Sequence, residues 1–297
     1  MEAIDSVHLN FSQGSAWGLN LLLAFIMFSV AIELSVGDFK KIAQYPKAAV
    51  VGIISQFLVL PLLTFLLILA WEPAPSIALG MIMVAACPGG NVSNFFSFMA
   101  KGNVALSVTL TAFSTVGAIL FTPINLSFWA SQYEPTARLL TKVDLSVLDV
   151  FTAVFIILGV PLIVGMTAKH KAPEWCLKYG NVFRKVSLGI FALFVVGALT
   201  ANYEIFYNHI YLVVILVLIH NALALGGGYA LARFSGLTST DRRTIAIETG
   251  IQNSGLGLLL IFTFFDGLGG MALIAAWWGI WHMVSGMTVS YLWSRSN

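Results

Sequence analysis

The sequence predicts an all-α polytopic membrane protein, and three observations carry that class. Of its 297 residues 59% are hydrophobic and only 9% charged, where a soluble domain carries about 25% charged residues. The apolar residues fall in runs of about membrane length. Two of these runs are interrupted by glycine-rich polar stretches, one of which holds a carboxylate, Glu248. Mean hydropathy is +0.90, and the 26 glycines and 22 phenylalanines suit close helix packing in lipid. The net charge of +2 includes no broad basic field, so no nucleic-acid partner is expected; the lipid bilayer is. The two cysteines, Cys87 and Cys176, have neither metal-ligand spacing nor a disulfide framework. Cys87 should lie within the membrane and Cys176 in a basic cytoplasmic loop.

Nine spans are predicted in order: 15–35, 46–71, 75–100, 103–129, 146–168, 185–203, 208–233, 243–264 and 269–293. The segment MEAIDSVHLNFSQGSAWG ahead of the first is polar, without a basic residue or a small-residue cleavage site. The first run is therefore expected to be a permanent span and not a cleaved signal. The loops are short and leave no room for a soluble domain. The basic residues test the count. With the N-terminus outside, the cytoplasmic face receives Lys40, Lys41, Lys47, Lys101, Lys169, Lys171, Lys178, Arg184, Lys185, Arg233, Arg242, Arg243 and Arg295, and the outer face only Arg138 and Lys142. That bias fits an odd number of spans, with the N-terminus outside and the C-terminus cytoplasmic.

The third span contains CPGGNVSNFF, where Pro88 lacks a donor N–H and Gly89 and Gly90 permit a break. The eighth contains ETGIQNSGLG, with Gly250, Gly255 and Gly257 among polar residues. Broken backbone in a membrane must be covered by protein or line a cavity. Two such spans, five apart and so oppositely oriented, point to an inverted-repeat transporter. The simpler alternative is a kinked helix with a packing glycine, which fits poorly when both breaks carry Asn, Gln or Glu.

The fourth span follows the first break, and GNVALSVTLTAFST places Ser107, Thr111 and Ser114 on one helical stripe, with Thr115 beside it. Taken singly, such hydroxyls usually bond back to their own helix. Together with Ser93, Asn94 and Glu248 they resemble an oxygen cage. A hard monovalent cation suits one carboxylate with amide, hydroxyl and backbone oxygens. Calcium usually takes more carboxylates, and transition metals prefer His or Cys. A carboxylate within a membrane marks an ion, proton or substrate site, so proton coupling through Glu248 stays open beside sodium. A sodium/proton antiporter and a non-transporting receptor are the other readings. Neither an ATP-binding loop nor a catalytic arrangement is present in the sequence, so no enzyme is expected.

Four segments, LLLAFIMFSVAIELSVGDFKKI, CPGGNVSNFFSFMAKGNVALSVTLTAFST, RRTIAIETGIQNSGL and IWHMVSG, resemble the bile acid:sodium symporter family over nearly the whole chain. Some bacterial relatives have ten spans, whereas this chain is similar to the nine-span form. CPGGNVSN is closer to the animal motif, since bacterial relatives often have Thr at the position of Asn91. The resemblance implies two crossing broken helices, a core of spans 2–4 and 7–9 and a panel of spans 1, 5 and 6. The corresponding segments are 46–130 and 208–297 for the core, and 1–45 and 144–205 for the panel. It implies a sodium-coupled symporter of a small organic anion, bile-acid-like or a small carboxylate, working by alternating access in the cell inner membrane. Two Na+ ions are implied. The first would be held by Ser93, Asn94, Ser107, Thr111 and Glu248, and the second by Gln56, Glu248, Gln252 and the backbone carbonyls of Thr249 and Ile251. Asn91 and Asn253, beside the breaks, with His282 and Ser285 on the last span, would face the substrate; His282 reads equally as a core histidine. Met283 stands where bacterial relatives can have Asn, and Glu33 where relatives often have an uncharged polar residue. Glu33 reads best as an interfacial acid beside Lys40 or Lys41. Oligomeric state is left open, with a monomer as the working expectation.

Overall fold

The computed structural model describes residues 4–9, 13–32, 37, 45–143 and 147–295. Glu33, Asp38, Lys40 and Lys41 lie outside them. The described chain is nearly all helix. Helical segments fall on each of the nine predicted stretches. They are α1 (Gln13–Ala31), α2 (Pro46–Trp71), α3 (Pro75–Ala86) with α4 (Val92–Met99), α5 (Val104–Ser131), α7 (Leu148–Lys171), α8 (Pro173–Ala201), α10 (Tyr211–Phe234), α11 (Ser239–Gly250) with α12 (Ser254–Phe264), and α13 (Gly269–Arg295). Two short helices, α6 (Glu134–Val143) and α9 (Tyr203–His209), lie between them. By length and composition α2, α5, α7, α10 and α13 can each cross a membrane, so the chain is a polytopic membrane protein.

Both predicted breaks are present, and their cause is local. Cys87 precedes Pro88 and is extended (φ −70°, ψ 156°), the conformation a following proline imposes, so α3 stops at Ala86. Ile251 is likewise extended (φ −107°, ψ 94°), ending α11. The four half-helices are too short to span alone. From Ser76 to Ala86 every residue of α3 is buried, as is every residue of α12 from Ser254 to Phe262. A helix apolar on all sides belongs inside the protein, which shields the interrupted backbone from lipid. Gly80 permits the closest packing: a Cβ there would lie 2.7 Å from Met271 Cα, so α3 and α13 touch through backbone. Around this interior α2, α7 and α13 expose large apolar side chains such as Leu58, Ile163 and Met287. Helix α1 packs against α7 and α8 and touches α12.

Three features differ from the sequence expectation. First, α2 and α7 each contain a π turn, Ser55–Val59 and Phe155–Gly159. Leu60 N–H bonds to Ser55 O and Val160 N–H to Phe155 O, five residues back. A proline follows each (Pro61, Pro161); it has no N–H and its ring clashes with a regular turn, and the π turn absorbs that conflict. Second, Cys176 is not in a loop. Helix α8 begins at Pro173 and buries Cys176 (3% exposed); both cysteines are free thiols. Third, residues 4–9 form a strap. Val7 O accepts from Gly269 N–H (2.7 Å), Leu9 N–H donates to Gly267 O (3.0 Å), and Asp5 Oδ1 accepts Ser76 N–H (2.7 Å) at the start of α3.

Candidate functional site

The two breaks are paired with each other. Gly89 and Gln252 form an antiparallel bridge: Gly90 N–H donates to Ile251 O (2.7 Å) and Asn253 N–H to Pro88 O (2.9 Å). Little room is left beside either backbone. A Cβ on Gly90 would lie 3.0 Å from Gln252 O, and one on Gly89 3.1 Å from Glu248 Oε2.

Glu248, near the C-terminal end of α11, is 4% exposed. Its carboxylate receives three hydroxyls. Ser93 Oγ on α4 donates to Oε1 (2.6 Å), Ser107 Oγ on α5 donates to the same oxygen, and Thr111 Oγ1 stands 3.1 Å from both Oε1 and Oε2. Thr111 Oγ1 also lies 3.3 Å from Asn94 Oδ1 and 3.4 Å from Ser93 Oγ. Four side chains from α4 and α5 therefore gather at one buried carboxylate of α11, three of them directly and Asn94 through Thr111. Among the described residues no lysine or arginine pairs with it. Hydroxyls donate or accept by rotating one proton, so the same oxygens can turn lone pairs toward a cation held by the carboxylate. Ser114 and Thr115 are not part of the cluster; both donate to Thr111 O.

The residues expected at a second ion form a separate group. Gln56, in the π turn of α2, pairs reciprocally with Gln252: Gln56 Nε2 donates to Gln252 Oε1 (2.9 Å) and Gln252 Nε2 to Gln56 Oε1 (3.2 Å). Gln252 Nε2 also reaches Thr249 O (2.7 Å), and Ile251 O accepts Gly90 N–H. Thr249 Oγ1 meets Ser55 Oγ at 2.7 Å. Among the described residues none of these four contacts the Glu248 carboxylate.

A cavity of about 120 Å³ opens beside the paired breaks, lined by Ile26 and Met27 of α1, Asn91, Asn253 and His282 among others. Asn253 Oδ1 caps α12 by accepting Leu256 N–H (3.1 Å), an N-cap that satisfies a free helix-end donor. His282 is 7% exposed and its Nδ1 has no protein partner. Ser285 donates back to His282 O (3.2 Å) and does not line this cavity.

Three participants escaped the sequence reading. Ser97 Oγ lies 3.2 Å from Ser107 Oγ, extending the hydroxyl cluster along α4; its i,i+4 spacing from Ser93 was the available signal. Ser55 adjoins Gln56. Asn221 on α10 donates from Nδ2 to Gly250 O (2.8 Å), just as Gln56 Nε2 donates to Cys87 O (3.0 Å). At each interruption, then, one carbonyl at the end of the helix, Cys87 O after α3 and Gly250 O in α11, is capped by an amide from the preceding long helix, as free helix-end carbonyls require.

A family model described as the Sodium Bile acid symporter family matches residues 20–209. The chain is 31% identical over 278 residues to an uncharacterized sodium-dependent transporter, YocS, of Bacillus subtilis (strain 168), covering 93% of this chain and 83% of that one. It is 31% identical over 270 residues to a probable chloroplastic sodium/metabolite cotransporter, BASS2, of Oryza sativa subsp. japonica, covering 86% of this chain but only 62% of that longer protein. To the ileal sodium/bile acid cotransporter of Homo sapiens it is 29% identical over 245 residues, 80% of this chain and 67% of that one. These relatives are transporters and not enzymes. With its membrane-length helices and the match over more than half its length, the chain belongs to the sodium/bile acid symporter family.

Proposed function

We propose that this protein is a sodium-coupled symporter of a small organic anion, and one observation carries the reading. The buried Glu248 carboxylate gathers Ser93, Ser107, Thr111 and, through Thr111, Asn94, and among the described residues no cationic side chain balances it. An unpaired buried charge is costly; a bound Na+ removes that cost. A second Na+ would sit at Gln56, Thr249, Ile251 and Gln252, after the amide pair opens and Glu248 turns to share its charge. The paired breaks, with α2 and α10 capping them alike, support an inverted repeat of spans 2–4 and 7–9 as core. Helices α1, α7 and α8, which pack together, are its panel, and alternating access is relative movement of the two. In this reading the N-terminus is outside and the C-terminus in the cytoplasm of the inner membrane, which the bias of basic residues supports, and the protein works as a monomer.

The substrate lies in the cavity between α1 and the breaks. Asn91, the Asn253 amide and His282 line it with hydrogen-bonding groups, and α4 and α12 begin there; helix starts favour anions. The described cavity of about 120 Å³ is below the roughly 300–1,000 Å³ that encloses a drug-sized ligand. It suits a small carboxylate, and a steroid acid would require α1 to withdraw. Ser285 would join only if it left His282 O.

The test is thermal stabilisation of purified protein by sodium against potassium, with small carboxylates and bile acids added. Sodium should stabilise the wild type, and a small carboxylate should add to that only when sodium is present. Glu248→Ala should still insert and fold but lose the sodium effect. Sodium stabilisation equal to wild type in that variant would sink the assignment. The same unpaired carboxylate could carry a proton, the basis of the antiport reading. Proton release on sodium addition, with no solute requirement, would favour that alternative.

A further inference from the structure

We propose that Asp241, Thr244 and Asn103 form a transit site for sodium between the Glu248 cage and the face of the protein where α11 begins. This rests on sodium binding at Glu248. Asp241, Thr244 and Glu248 follow one another at three- and four-residue steps along α11 and so share one side of it. All three are buried. Opposite them stand Ser97 of α4 and the first turns of α5. Asn103 Nδ2 donates to Asp241 Oδ1 (2.8 Å), Thr244 Oγ1 donates to Asn103 O (3.2 Å), Ser107 Oγ donates to Glu248, and Ser97 Oγ lies 3.2 Å from Ser107 Oγ. The gap between the two ends of this chain is narrow: a Cβ on Gly102 would meet both Thr244 Oγ1 (2.7 Å) and Ser97 O (3.1 Å). Oxygen-bearing side chains therefore follow one another from Asp241 to the cage, with Gly102 packed at the step between Thr244 and Ser97.

Two further observations point to a cation. Asp241 is 8% exposed, yet among the described residues no lysine or arginine pairs with it. Its neighbours in sequence are turned elsewhere: Arg242 Nε donates to Leu237 O (2.6 Å), and Arg243 Nη1 to Ala100 O (2.9 Å) and Trp293 O (3.0 Å). An acid in the first turn of a helix is stabilised by the helix dipole, and Thr238 caps the same turn by accepting Asp241 N–H. That accounts for an acid at this position, but not for its burial. The other observation is asymmetry. On the opposite side of the breaks, Ile77 and Met81 of α3, Leu259 of α12 and Met271 of α13 are all buried in one apolar cluster. Gly80 seats against the Met271 backbone, and the strap of residues 4–9 binds over the helix ends. Among the described residues no carboxylate is buried on that side. In the proposed topology the Asp241 end faces the cytoplasm, and sodium leaves the cage by way of Asp241.

Sodium alone is the probe. Purified protein is reconstituted on a solid-supported membrane and the charge movement after a sodium jump is recorded, with potassium as control. The sodium midpoint for thermal stabilisation is measured in parallel. Asp241→Asn keeps the capped turn and an acceptor for Asn103 but removes the charge. It should leave the sodium midpoint within about twofold and slow the relaxation about fivefold, the scale of one partly screened unit charge. Thr244→Val should also slow it, while Asp241→Glu should keep the wild-type rate. Wild-type relaxation in both Asp241→Asn and Thr244→Val overturns the proposal. So does a midpoint shifted as far as the rate, which would make Asp241 part of the equilibrium site or its scaffold. If Asp241→Asn melts early without sodium, Thr244→Val decides alone. A wild type with neither a sodium-specific current nor sodium stabilisation would instead remove the sodium reading itself.

Discussion

At the scale of residues, the site is a problem of pairing. Glu248 has three hydroxyl partners and, among the described residues, no lysine or arginine, and each broken helix has one carbonyl capped by a distant amide. Those caps, Gln56 and Asn221, do equivalent work on opposite strands of the paired breaks. Asn221→Leu should leave Gly250 O without its partner at a cost of about 1–3 kcal/mol. We expect a lower melting temperature and a raised sodium midpoint in the same thermal-shift assay; wild-type values for both would show that the cap is dispensable. Glu248, Ser107 and Thr111 were legible in the sequence because a carboxylate and a hydroxyl stripe stand out in apolar spans. Asn221 was not. A lone amide on an apolar helix reads as a satisfied core residue until its partner, 29 residues away, is seen.

Among elements, the breaks and the π turns have the same origin. Proline and glycine remove helical hydrogen bonds, and neighbouring helices replace them. The breaks were readable because CPGGN and ETGIQN combine several interruptions. The π turns were not read, although mid-span Pro61 and Pro161 were the signal. A proline predicts a disturbed turn without saying whether a kink or an extra residue absorbs it. Here the extra residue carries Ser55 and Gln56 to the breaks. Gly90→Ala sets a Cβ 3.0 Å from Gln252 O, against backbone that is itself paired. We expect destabilisation of about 1–3 kcal/mol and weakened sodium stabilisation. An alanine variant that melts and responds to sodium like wild type would mean the paired breaks can separate freely. The sequence also placed Cys176 in a loop, because basic residues around it masked a helix that begins at Pro173.

For the whole molecule, burial divides the helices by role. Helices α3 and α12 are enclosed, and the long helices turn apolar side chains outward. If two Na+ accompany one monoanion, each cycle moves one net positive charge, worth about 2.3 kcal/mol per 100 mV. Uptake into proteoliposomes of whichever carboxylate shows sodium-dependent stabilisation should therefore rise when a potassium diffusion potential makes the interior negative. Uptake insensitive to that potential would rule out this stoichiometry.

The sequence by itself determined the class of protein, the positions of the interruptions and the residue types at the cage. Each is set by local chemistry: apolar runs must leave water, proline and glycine must interrupt a helix, and a carboxylate among apolar residues must find partners. Tertiary structure alone decided that the two interruptions bond to each other, that Gln56 and Gln252 form one amide pair, that Asn221 caps the second break and that Asn103 bonds to both Asp241 and Thr244. Those contacts join residues far apart in the chain, and helical periodicity specifies which face a residue occupies but not which distant face it meets.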